Sequence, residues 1–142
     1  MWILDTDHVS LLERETTPIA ARLRRRLLAL GPGDYATTII SYEEQCRGWL
    51  EHIKKRKSVL EQVTSYRKLQ RQMEHYCANL VLEFDEHAAI EFQRLRSLKI
   101  RIETTDLKIA SISLSRNATL LTRNLRDFIR VPGLQFEDWT KE

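Results

Sequence analysis

Short apolar runs alternate along this chain with longer stretches in which apolar residues recur every three or four positions. Trp2-Ile3-Leu4 is one such run. It stops at Asp5-Thr6-Asp7 and predicts a buried strand with acids at its carboxyl end. Val9, Leu11 and Leu12 predict a short helix after it. Thr17-Pro18 has the form of an N-cap followed by proline at the first helical position. The helix it opens carries Ile19, Leu23, Leu27 and Leu30 on one face, and Gly31-Pro32-Gly33 ends it. Tyr35 to Ile40, rich in β-branched and aromatic residues, predicts a second strand. Ser41-Tyr42-Glu43-Glu44 follows at once and fits a capping box opening a third helix.

Val59, Val63, Tyr66, Leu69, Met73, Tyr76 and Leu80 then mark one face of a long amphipathic helix. The segment from Glu43 to about Asn79 reads as a helical hairpin. Core packing is the ordinary explanation of that apolar face, and docking on a partner the other. Leu80 to Phe84 is a third strand candidate, and Asp85-Glu86 starts a helix with Ala89, Phe92 and Leu95 inward. After Ile100-Arg101-Ile102, Thr104-Thr105-Asp106 opens a helix carrying Leu107, Ile109, Ala110, Ile112 and Leu114. Ala118 to Thr122 and Leu134 to Phe136 supply a fourth and a fifth strand. Strands alternating with helices predict an α/β fold. Its central, mostly parallel sheet of about five strands is covered on both faces. The 142 residues fit a single domain, residues 1–142, with no repeat or linker.

Composition narrows the class. No stretch approaches the roughly 18 apolar residues that span a bilayer, and the start does not resemble a signal peptide, so the expectation is a soluble, cytoplasmic protein. Cys46 and Cys77 are then expected as reduced core residues; their spacing fits no structural zinc site. The formal charge of +3 is a mild excess, but its distribution adds something. Basic clusters at Arg22, Arg24, Arg25 and Arg26, at Lys54 to Lys57, and at Arg123, Arg126 and Arg130 suit a polyanion. Solvated helix faces explain each cluster equally well on its own.

The acids carry the chemistry. In open parallel sheets, ligands sit beyond the carboxyl ends of the strands. Asp5 ends the first strand, Glu44 follows the second, Asp106 lies in the first turn of a later helix, and Asn124 and Asp127 follow the fourth strand. All fall at one edge of the predicted sheet. Carboxylates crowded together stay ionised only with compensating cations. Oxygen donors with room for water suit Mg2+ or Mn2+, which activate water and offset phosphodiester charge. Each acid also has an ordinary explanation. Asp5 can accept hydrogen bonds from its own turn. Glu44 can close the capping box with Ser41, and Asp106 can complement a helix dipole. Asn124 and Asp127 can be turn and loop residues. Convergence at one edge, rather than any single residue, points to an acidic site, and that alone does not select RNA.

At these residues the sequence resembles the PIN-domain family, in particular the VapC-type toxins of bacterial toxin–antitoxin pairs. Four blocks in order carry the likeness: Met1 to Asp7, with Asp7 where the family usually has Asn; Ile39 to Gly48, with Glu44 four residues before Gly48; Thr105 to Ala110; and Leu120 to Phe128, followed by Val131-Pro132-Gly133-Leu134 and Trp139. The resemblance implies a three-layer α/β/α PIN-like fold and an Mg2+- or Mn2+-dependent endoribonuclease. It also implies homodimerisation and neutralisation by a cognate antitoxin. Asp5, Glu44 and Asp106 carry over as metal-binding catalytic acids. Many relatives have Asp where this chain has Asn124, so Asn124 would be a neutral metal or water ligand and Asp127 the source of the fourth charge. Thr6 and Thr122 would orient carboxylates or water, and Arg123 or Arg126 would steer the RNA backbone. The Asn124 departure also favours an alternative, a non-catalytic PIN-like RNA-binding or regulatory module.

Overall fold

The computed structural model describes residues 1–13 and 17–142. Five strands, β1 (Trp2–Leu4), β2 (Tyr35–Thr38), β3 (Val81–Leu82), β4 (Thr119–Leu121) and β5 (Gln135–Glu137), form one sheet in the order β3-β2-β1-β4-β5. Every neighbouring pair is parallel; Ile3, for example, sits beside Ala36 on one side and Leu120 on the other. The chain steps outward from β1 through β2 to β3, then returns to place β4 on the other flank of β1. The order therefore reverses between β1 and β4, where a parallel sheet opens a crevice at its carboxyl edge.

Period-two alternation divides the core into two layers. Ile3, Ala36, Leu82 and Leu120 face one cluster with Leu95, Leu107, Ile109, Ile112 and Phe128. Trp2, Leu4, Tyr35, Val81 and Leu121 face the other, with Val9, Leu23, Leu27 and Trp139. The first layer belongs to α5 (Glu86–Ser97), α6 (Thr104–Ser115) and α7 (Leu125–Phe128). The second belongs to α1 (Thr6–Glu13) and α2 (Pro18–Leu28). Helices on both faces of a parallel sheet are the expected three-layer arrangement. α3 (Ile39–Lys54) and α4 (Val59–Cys77) pack on each other as the predicted hairpin.

Helix boundaries follow local chemistry. Thr17 accepts a hydrogen bond from the Ala20 N–H at 3.2 Å with Pro18 at the first position, as its sequence predicts. Asp85 caps α5 through the Ala88 N–H at 2.9 Å. The third helix departs from expectation. Its cap is Thr38, whose hydroxyl accepts from the Ser41 N–H at 3.1 Å. Ile39 and Ile40 therefore lie in the helix rather than the strand, and Ser41 is buried inside it. Glu44 is not the partner of a capping box.

Three further expectations change. The apolar stripe of α4 is largely uncovered: the buried residues are Ser65, Gln72 and Tyr76, whereas Val59, Val63, Tyr66, Met73 and the following Leu80 are exposed. Periodicity reveals that a stripe exists, not what covers it. Cys46 and Cys77 are free thiols, but Cys77 is exposed and Cys46 half-buried, so neither is a core residue. The early arginine cluster is occupied with structure. Arg22 donates to the Thr140 carbonyl at 3.1 Å, Arg24 donates to the Leu12 carbonyl at 2.8 Å, and Arg26 lies over the Trp139 ring at 4.1 Å.

Candidate active site

The carboxyl ends of β1, β2 and β4 converge on Asp5. Its backbone N–H donates to the Leu121 carbonyl at 2.9 Å, which continues the β1–β4 ladder one residue past the strands. This holds the side chain in the crevice between them, only 5% exposed. One carboxylate oxygen accepts the Thr6 N–H at 2.7 Å; the other accepts the Thr122 hydroxyl at 2.7 Å. The Thr122 oxygen in turn accepts the Asn124 N–H at 3.0 Å, and its hydroxyl has Asp7 as a second, longer acceptor at 3.4 Å. Burial, then the nearby Asp7, push the Asp5 carboxyl up to about 7 despite those bonds, and Asp106 adds to the effect.

Asp106 occupies the first turn of α6. A carboxylate stabilised by a helix dipole alone would sit low. Burial and the charges of Glu44, Glu103, Asp127 and Asp7 instead push it up to about 6. Glu44, half-buried on α3, is also raised, first by burial; the Thr6 and Thr105 side chains oppose that by hydrogen bonding. Glu43 faces away and pairs with Arg47 at 3.0 Å. Asn124 caps α7, accepting the Asp127 N–H at 3.4 Å. Its side-chain amide donates to Asp127 at 3.0 Å and to Asp106 at 3.4 Å. Asn124 thus places a neutral donor between two acids where a carboxylate would have added charge.

Asp5, Glu44, Asp106, Asn124 and Asp127, drawn from four separate parts of the chain, are brought into one neighbourhood. Among the described residues, no three His, Cys, Asp or Glu side chains form a ready-made cage for an ion. Arg123 and Arg126 are exposed beside this edge, whereas Arg130 turns back to the Arg101 carbonyl.

Three residues belong to the site beyond the candidate ligands and catalytic acids, Asp7 having been read only as an acid at the end of the first strand. Asp7, in the first turn of α1, accepts the Arg123 N–H at 2.9 Å and acts electrostatically on Asp5 and Asp106. Its position two residues after Asp5 was the available signal. Glu103, one turn before Asp106, raises both Asp106 and Glu44. His8, fully buried, meets Asp7 through Nδ1 at 2.6 Å, while Nε2 accepts the Trp139 N–H at 3.4 Å. That pairing places the ring proton on Nδ1 and ties Asp7 to the end of the sheet.

No family model matches the chain. The tRNA(fMet)-specific endonuclease VapC of Salmonella typhimurium is 40% identical over 63 residues, covering 42% of this chain and 48% of the relative. The match thus spans about half the length of that curated relative. Solved structures extend the likeness over the whole fold. VapBC-1 from nontypeable Haemophilus influenzae aligns with a TM-score of 0.70 at 28% identity, covering 99% of this chain and 98% of the other. DNA-bound VapBC from Salmonella typhimurium aligns with a TM-score of 0.74 at 24% identity, covering 97% of each chain. By fold along its length and by sequence along part of it, the chain is similar to VapC-type proteins.

Proposed function

We propose that the protein is an endoribonuclease that uses Mg2+ or Mn2+ and acts as the toxin of a toxin–antitoxin pair in the cytoplasm. One observation carries the reading. Asp5 and Asp106, with carboxyls pushed up to about 7 and about 6, lie in a cluster short of positive charge. A divalent cation would reverse that imbalance.

The donor set fits such an ion. All the side-chain donors are oxygen, which hard cations prefer, and Mg2+ keeps several waters and takes one or two carboxylates with substrate phosphates rather than a full protein cage. Asp5, Glu44 and Asp106 would hold it, with Asp127 or the Asn124 carbonyl oxygen completing the set. When bound, the metal supplies a water of lowered pKa and offsets charge on the phosphodiester. The protein groups do the rest. Thr122 and the Thr6 N–H fix both oxygens of Asp5. His8 fixes Asp7. Arg123 and Arg126 offer exposed positive charge to the strand beside an otherwise acidic centre.

A protein partner is supported by the α4 stripe, where Val59 and Leu60 are 82% and 83% exposed, and by the VapC-type likeness. We assign that surface to a second copy of the chain or to the cognate antitoxin. The non-catalytic RNA-binding reading keeps one observation in its favour: Asn124 spends its amide on Asp106 and Asp127. A panel of labelled single-stranded and hairpin RNAs, incubated with Mg2+, Mn2+ or excess chelator beside Asp5→Asn, separates the two. Metal-dependent cleavage lost in the variant supports the nuclease; retained RNA binding with no cleavage in any metal supports the binding module.

A further inference from the structure

Asp7 stands in the first turn of α1, where an acid ordinarily faces the free N–H groups of its own helix. Among the described residues it takes no backbone bond from α1. Its Oδ2 instead accepts the Arg123 N–H at 2.9 Å, in the turn after β4, and lies 3.4 Å from the Thr122 hydroxyl that also serves Asp5 at 2.7 Å. Its Oδ1 meets Nδ1 of the fully buried His8 at 2.6 Å. A carboxylate has about four acceptor sites, so these bonds leave Asp7 with capacity for a further ligand. Its side chain is 31% exposed, whereas Asp5 is buried, so Asp7 is the more open of the two.

Asn124 sits at the other end of the same turn. Its amide donates to Asp127 at 3.0 Å and to Asp106 at 3.4 Å, and its Oδ1 accepts the Asp127 N–H. An Asp in its place would lose both donations and crowd a further charge between two acids. The turn from β4 to α7 thus has a place for one more carboxylate at each end, and this chain fills the end that meets α1. The Asp7 charge acts on Asp5 more strongly than that of Asp106 does, and it reaches Asp106 as well.

We propose that Asp7 is a further carboxylate of the cation site and carries the negative charge that Asn124 lacks. The inference rests on the metal-dependent reading above. An added anionic donor strengthens the hold on a hard cation, since affinity follows the charge of the ligand set. His8 and the Arg123 N–H fix Asp7 from two sides, so this charge is held at the centre rather than spread through a solvated side chain. The shared Thr122 hydroxyl has one proton and can donate to only one of Asp5 and Asp7 at a time, which leaves the other to a cation.

Titration of Mn2+ into the whole protein, followed by electron paramagnetic resonance, tests the proposal with a charge swap. Wild type, Asp7→Asn, Asp127→Asn and Asp7→Asn/Asn124→Asp are compared, each shown to be folded by circular dichroism. Asp7→Asn is expected to weaken Mn2+ binding about tenfold. Adding Asn124→Asp is expected to restore it to within about threefold of wild type, because the charge returns at the other end of the turn. A merely structural Asp7 would show no such rescue, since an Asp at position 124 cannot replace the bonds to His8 and the Arg123 N–H. Binding that the second substitution fails to restore therefore overturns the proposal. Binding unchanged in Asp7→Asn also overturns it and leaves the metal-dependent reading standing. Loss in Asp127→Asn with Asp7→Asn silent assigns the charge to Asp127 and overturns it likewise. A wild type that binds no Mn2+ removes both. Asp7→Ser, which removes the charge with a residue that suits a helix start, carries the same expectation if Asp7→Asn does not fold.

Discussion

Replacing Asp5 by Asn should make the metal-free protein more stable near neutral pH while abolishing its chemistry. The folded carboxyl sits at about 7 against an ordinary 3.8. A carboxyl raised in this way binds its proton more tightly in the folded chain than in the unfolded one. Its stabilising contribution is therefore present below the unfolded value and lost as the pH rises through the folded one. At 1.36 kcal/mol per pH unit, ionised Asp5 costs the folded protein about 4 kcal/mol above pH 7. Asn carries no charge and nearly the same shape. It can accept only one of the two bonds now donated by the Thr6 N–H and the Thr122 hydroxyl, and a lost bond costs about 1 kcal/mol. The net expectation, in excess chelator, is a gain of about 3 kcal/mol at about pH 8 that shrinks to under about 1 kcal/mol at about pH 5, because the unfolded carboxyl is already ionised there while the folded one is still protonated; a net loss of about 1 kcal/mol stands only below the unfolded value of 3.8. Urea unfolding at the two pH values measures it. An Asp5→Asn protein destabilised equally at both would refute the claim that unneutralised charge is stored at this site.

Other perturbations read the scaffold. Thr38→Ala removes the observed α3 cap and should lower stability by about 1 kcal/mol, while Ser41→Ala leaves the cap itself intact; chemical denaturation distinguishes which residue caps the helix. His8→Ala empties a buried site and strands Asp7 and the Trp139 N–H, so a loss of about 2–4 kcal/mol is expected in thermal unfolding.

The layered fold was legible because alternation in Trp2-Ile3-Leu4 and Thr119-Leu120-Leu121 feeds opposite core clusters. The acids were legible because they end strands or open helices, and all parallel strands end at one edge. The start of α3 was not. Thr38 and Ser41 are both hydroxyl residues able to cap, and the β-branched Ile39 and Ile40 between them favour a strand by propensity, which the Thr38 cap overrides. The burial of α4 was not legible either, since its polar residues Ser65 and Gln72 face inward and its apolar stripe faces out. His8 and Glu103 act across space. His8 reaches Trp139 in the turn after β5, and Glu103 acts on Glu44 of α3 through its charge, relations that depend on strand order rather than spacing.

The central claim is that the Asp5, Glu44 and Asp106 cluster holds a divalent cation. Electron paramagnetic resonance of Mn2+ titrated into the wild-type protein and into Asp106→Asn, each shown to be folded by circular dichroism, tests it most directly. Saturable Mn2+ binding by the wild type is expected, displaced by Mg2+ and weakened at least about tenfold when a carboxylate ligand is removed. Binding identical in the two proteins, or RNA cleavage that persists in excess chelator, would contradict it.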